Sequence, residues 1–149
     1  LVTGMRDRGL RTDRAMLIVI DGGKALRAAI REVFGARAFV QRCQVHKMRN
    51  VTEHLPDDAA QAAKKVMQTA YRSGDGDAAK KLLKNLARQL RTNHPSAAAS
   101  VEEGLEETLT VMSFELPRKL ERTLSSTNVI ENLNSRIRDM SKRVKRQVR

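Results

Sequence analysis

The run Ala15-Met-Leu-Ile-Val-Ile20, followed at once by Asp21-Gly22-Gly23, constrains this chain more than any other stretch. Its unbroken apolar, β-branched character predicts a strand, and the Asp-Gly-Gly predicts where that strand ends. A strand with no polar alternation implies a sheet covered on both faces, as in α/β proteins. Asp21 then leaves the strand at its C-terminal edge, where open α/β sheets hold their ligands. The two glycines let the backbone turn there. The same residues also suit a plainer role, with Asp21 capping the next helix or starting a turn.

The residues after this turn extend the pattern. Leu26, Ile30, Val33 and Phe34 recur at helical spacing, with Gly35 in place to close the helix. Ala36 to Arg42 reads as a second short strand, giving a strand–helix–strand unit of the kind that pairs in parallel. The first fourteen residues are basic and weakly periodic, with Gly9 as a helix stop. Val45, Met48, Thr52 and Leu55 mark a short helix that Pro56 ends. Cys43 and His46 share one face of it. As a zinc site they are two ligands short, with only His54 and His94 left to add, so packing or hydrogen bonding is the better reading. From Asp57 to about Ser113 three apolar stripes predict amphipathic helices: Ala63 to Tyr71, Ala79 to Leu90, and Val101 to Met112. The third carries Glu102, Glu103, Glu106 and Glu107, read first as a solvated face and second as a mask for basic neighbours.

In the last block Ile130, Leu133, Ile137, Met140 and Val144 step by three and four, which predicts one long helix. Asn128 as N-cap and Glu131 at the third helical position would form a capping box. From Arg136 onward the exposed positions are dense in Arg and Lys, which suits phosphate contact. The net charge of +12 and pI near 10.7 point the same way, to a polyanionic partner with nucleic acid first. With 3% aromatic residues, the core of this 149-residue domain must rest on Leu, Val, Ile, Met and Ala. The single Cys43 excludes an internal disulfide and fits a reducing compartment. No apolar run reaches the roughly 18 residues of a spanning helix.

Three segments taken in order resemble a known family: the strand ending Ile20-Asp21-Gly22; Arg42-Cys43-Gln44-Val45-His46-Lys47-Met48-Arg49-Asn50-Val51; and Ser126-Thr127-Asn128-Val129-Ile130-Glu131-Asn132-Leu133-Asn134. Together they look like the bacterial insertion-sequence transposases of the Mutator type, of the Asp-Asp-Glu class, from about Met16 to about Arg138. The resemblance implies an α/β, partial ribonuclease-H-like core with a large helical insertion, mostly helical overall. Its parts would be 1–56 with the second catalytic acid, 57–117 as the insertion, and 118–149 with the third acid and a basic tail. Asp21 matches the second acid and Glu131 the third, while Cys43 and His46 match a Cys-x-x-His signature of unassigned role. The family's first aspartate has no counterpart, since Asp7 and Asp13 precede the strand in basic sequence. The chain would thus be the C-terminal part of a transposase, without its DNA-end-recognition region and inactive alone.

The implied activity is transposition by cleavage and transfer of DNA strands, with Mg²⁺ or Mn²⁺ in a two-metal site completed by an upstream Asp. Carboxylates suit such hard cations. Lys24, Arg42, Lys47, Arg49, Arg136, Arg138, Lys142, Arg143, Lys145 and Arg146 would hold DNA by its phosphates. The partners implied are element ends and target DNA, a second copy in the full-length protein and no membrane, in the bacterial cytoplasm at the nucleoid. Two other readings stay open: another nuclease on the same core, and a non-catalytic DNA-binding remnant or regulator.

Overall fold

The computed structural model describes residues 1–144, with side-chain surroundings through Lys142. Met16–Ile20 is strand β1 and Ala38–Arg42 is strand β2. They pair in parallel, with Met16 opposite Ala38 and Ile20 opposite Arg42. Between them lies helix α2, Lys24–Phe34, which Gly35 ends at a positive φ of 57° before a 3-10 turn over Gly35–Arg37. Ile20, Ile30, Phe34 and Val40 bury together, joined by Val2 of the short helix α1 (Val2–Asp7).

The expectation of a sheet covered on both faces is not met. Four of the five β1 residues are only half-buried, and β1 pairs with no strand but β2 among the described residues. The far edge of β2 is sealed by side chains instead. Thr110 Oγ1 donates to the Val40 carbonyl at 2.7 Å, and Gln41 accepts from Val111 N–H at 2.8 Å while donating to the Thr108 carbonyl at 2.9 Å.

Helix α3 (Gln44–Thr52) leads into a helical layer of α4 (Asp57–Arg72), α5 (Gly76–Leu90) and α6 (Pro95–Glu102). Asp75 caps α5, its carboxylate accepting from the N–H groups of Asp77 and Ala78 at 2.9 and 3.0 Å. The core here is Val51, Met67, Leu83, Leu86, Val101 and a set of alanines including Ala63, Ala70, Ala87 and Ala97. Those alanines explain how a chain so poor in aromatics packs densely. Small side chains let helix axes approach, and each buried Leu or Met then adds about 1.5–3 kcal/mol.

The third stripe is buried as its spacing predicts, but it is not one helix. It divides into α6, the single turn α7 (Leu105–Thr108) and a 3-10 segment, Thr110–Phe114. The break falls at Gly104, in the left-handed region at φ 63°, where a Cβ would stand 2.9 Å from Arg42 Nη1. Arg118–Leu124 (α8) and Asn128–Val144 (α9) complete the chain. No helix among the described residues is long and apolar enough to cross a membrane.

Candidate active site

Asp21 follows the last residue of β1 and is exposed. One carboxylate oxygen accepts from Gly23 N–H at 3.1 Å, so Asp21 starts the turn. It does not cap α2, whose N-cap is Gly23 without a side-chain bond. Gly22 takes φ 115°, and a Cβ there would lie 2.3 Å from Arg42 Nε. The glycine is therefore required twice, by its backbone angle and by the guanidinium packed over it.

The backbone next to Asp21 leads to the C-terminal acid. Cys43 N–H donates to the Ile20 carbonyl at 2.7 Å, tying the start of α3 to the end of β1. Gln44 N–H donates to the Ser125 carbonyl at 2.9 Å, and Thr127 N–H to Cys43 Sγ at 3.4 Å. The Ser125–Thr127 segment is thereby pinned across the C-terminal end of the sheet, and α9 starts from it. Glu131 lies one turn into α9, with its carboxylate bonded to the Thr127 hydroxyl and 3.7 Å from His46 Nδ1. The sheet edge that carries Asp21 thus also anchors the helix that carries Glu131. Asn128 is not the cap expected from sequence. The Thr127 carbonyl accepts the first helical bond, from Glu131 N–H at 3.0 Å, which makes Thr127 the N-cap and moves the helix start back by one.

Residues 1–147 match the family described as Transposase, Mutator family. The chain belongs to that family. It is 37% identical over 134 residues to the transposase for insertion sequence element ISRM5 of Rhizobium meliloti (strain 1021), covering 90% of this chain and 32% of the relative. Against the transposase for element IST2 of Acidithiobacillus ferrooxidans it is 30% identical over 145 residues, 97% of this chain and 48% of the relative. Against that for element IS256 in transposon Tn4001 of Staphylococcus aureus it is 27% identical over 140 residues, 93% and 34%. The chain thus spans 32–48% of the length of these relatives.

The Cys-x-x-His pair of this family member is inward-facing. Cys43 is fully buried and His46 partly so, both against Thr127. Burial pushes the Cys43 thiol up, but hydrogen bonds from Thr127 and from the His46 backbone outweigh it and hold the thiol below its ordinary range. No group of three or more His, Cys, Asp or Glu side chains among the described residues is arranged to hold a metal ion. The hydrogen-bonding role expected for Cys43 and His46 matches this geometry.

The basic residues divide in two. Lys24, Arg49, Arg136, Arg138 and Lys142 are exposed. Arg42 and Lys47, read from sequence as phosphate contacts, are turned inward. Arg42 is 6% and Lys47 1% exposed. Arg42 Nη1 donates to the Glu103 carbonyl at 2.9 Å, and Lys47 Nζ donates to the carbonyls of Ser100 and Glu103. These are the open carbonyls at the end of α6, so both cations serve as its C-terminal caps. Burial, reinforced by the nearby Arg42 charge, pulls the Lys47 amine down to about 8. Of the remaining expected cations, Arg143 has no described side-chain surroundings, and Lys145 and Arg146 lie outside the described residues.

The acidic run keeps the solvated face first read from it at Glu102 and Glu106, which are exposed, and also pairs with basic neighbours as in the second reading. Glu103 pairs with Arg42 at 3.3 Å and Lys24 at 3.5 Å, Glu107 with Arg27 at 2.6 Å, Glu106 with Lys80 at 2.6 Å, and Glu102 with Arg91. Its partners sit on α2, on β2, on α5 and, at Arg91, just past the end of α5, so the four carboxylates neutralise cations from both layers. What sequence reading missed is Thr127. The available signal was its position four residues before Glu131, on the same helix face.

Proposed function

We propose that this chain supplies two of the three acids of a transposase active site, Asp21 and Glu131, on the C-terminal end of a ribonuclease-H-like sheet. The observation that carries this reading is the pinned segment. Through Ile20, Cys43 and Thr127, the strand that leads into Asp21 ends, and the helix that carries Glu131 starts, at the same sheet edge. A half-covered β1 and an apolar α9 face left open are consistent with further strands supplied by the remaining length of such relatives.

The donor set fits a hard divalent cation. Both acids present oxygen ligands, and each has one oxygen fixed by a hydrogen bond while the other has no protein partner among the described residues. Two carboxylates are within the one or two that Mg²⁺ takes from protein beside phosphate and water. When bound, Mg²⁺ or Mn²⁺ would activate the attacking oxygen and stabilise the leaving one in DNA strand cleavage and transfer. The chain's own part is to hold the two carboxylates at one edge and to grip DNA. Lys24 at the start of α2, Arg49 on α3, and Arg136, Arg138 and Lys142 along α9 are exposed and would take phosphates without reading bases. Element ends and target DNA are the proposed substrates, with a second copy as partner in the complete protein. Supplying two acids of three, this chain alone should not join strands.

Asp21→Ala and Glu131→Ala, each placed in the complete transposase, should abolish cleavage and joining and leave DNA affinity nearly unchanged. Wild-type cleavage by Glu131→Ala would return that residue to a structural role at the start of α9.

A further inference from the structure

The Cys-x-x-His pair is left without a task by phosphoryl transfer, and Thr127 connects it to one. An N-cap threonine ordinarily turns its hydroxyl to a backbone N–H two or three residues on. Among the described residues Thr127 makes no such bond. Its Oγ1 instead meets three side chains: Cys43 Sγ at 3.5 Å, His46 Nδ1 at 3.4 Å and Oε1 of Glu131.

Proton accounting orders these contacts. The hydroxyl has one proton, and an ionised carboxylate can only accept, so that proton goes to Glu131. His46 Nδ1 must then carry its own proton and donate to Oγ1, while Cys43 Sγ packs against the same hydroxyl at 3.5 Å. Thr127 N–H donates back to Sγ, and Cys43 N–H to the Ile20 carbonyl beside Asp21. The side-chain contacts run through the Thr127 hydroxyl, which alone donates to one carboxylate oxygen of Glu131. Glu131 is 51% exposed at its side chain, where a free glutamate would sample several rotamers.

We propose that Thr127, backed by Cys43 and His46, is a positioning residue that fixes one oxygen of Glu131 and leaves the other turned to the reaction. This rests on the assignment of Glu131 as a catalytic acid. It gives the Cys-x-x-His signature a mechanical role: the pair orients the hydroxyl that orients the acid, as supporting groups behind a ligand commonly do.

Two measurements test it. Nitrogen NMR of the His46 ring in this chain should show the Nδ1–H tautomer in the wild type and in Thr127→Ser. In Thr127→Val it should show the Nε2–H form that free histidine prefers. An Nε2–H wild type overturns the network, and this arm stands even if Thr127→Val does not fold. In the complete transposase, Thr127→Val should lower cleavage turnover at saturating DNA by about 10–100-fold. DNA affinity should hold within about twofold, and Thr127→Ser should restore most of the rate. Full turnover in Thr127→Val beside an inactive Glu131→Gln refutes the positioning alone. Cleavage by Glu131→Gln refutes the catalytic assignment beneath it.

Discussion

Two apolar stripes of the same helical period meet opposite fates in this molecule. In the helical layer Met67, Ala70 and Leu83 are at most 1% exposed, each closed against a neighbouring helix. On α9, Ile130, Leu133, Ile137 and Met140 remain 52–67% exposed. Periodicity states that a helix has a face to bury and is silent on what covers it. The helical layer satisfies itself within the chain. The parts bearing Asp21 and Glu131 keep surface open, on β1 as on α9, and those are the parts assigned here to chemistry and DNA.

The sharpest way to break that contrast is by truncation. Leu83→Ala should cost about 2–5 kcal/mol of unfolding free energy, because a closed core keeps the cavity. Leu133→Ala should fall within about 0.5 kcal/mol, as exposed positions do. Denaturant unfolding of both variants decides the matter, and a comparable loss at Leu133 would show that α9 is packed in solution.

A somewhat smaller effect is expected at Lys47, which joins the two layers. Lys47→Met leaves two carbonyls at the end of α6 without donors and should cost about 1–3 kcal/mol. The pH dependence has a definite sign. The amine is held at about 8 against an ordinary 10.5, so between those values the unfolded chain binds more protons than the folded one. The stability of wild type relative to Lys47→Met should therefore rise from about pH 8 to 10.5. A difference that stays flat or falls over that range would mean that the amine titrates normally.

The basic surface gives the third contrast. Replacing Arg136, Arg138 and Lys142 together by Ala should flatten the dependence of log K for duplex DNA on log salt by about 2.7, at 0.9 per phosphate. Lys47→Met should leave that slope unchanged. A slope that responds to Lys47 but not to the α9 cations would reverse the division between buried and DNA-facing charge.

Much of the fold was legible because it is written in local pattern. The apolar run Met16–Ile20, the Leu26–Phe34 spacing with Gly35 behind it, and the stripes of α4 and α5 each name their element. The continuous third helix was not, because burial kept its period through the break at Gly104. Gly104, in the left-handed region with the distant Arg42 side chain packed against it, marks the turn. Arg42 and Lys47 were misread for a related reason. A cation's charge is visible in sequence, but the unfilled carbonyls of Ser100 and Glu103 that draw it inward are not. The acids proposed for the site were read from motif order. The hydroxyl between them and the Cys-x-x-His pair was not, since a threonine before a helix reads first as a cap.

The central claim is that Asp21 and Glu131 face one site, and paramagnetic broadening by millimolar Mn²⁺ in this chain tests it most directly. The account predicts that the amides of Gly22 and Gly23 broaden together with those of Glu131 and Asn132, and that Asp21→Ala or Glu131→Ala each abolishes both effects. Broadening at one acid that survives removal of the other would contradict it.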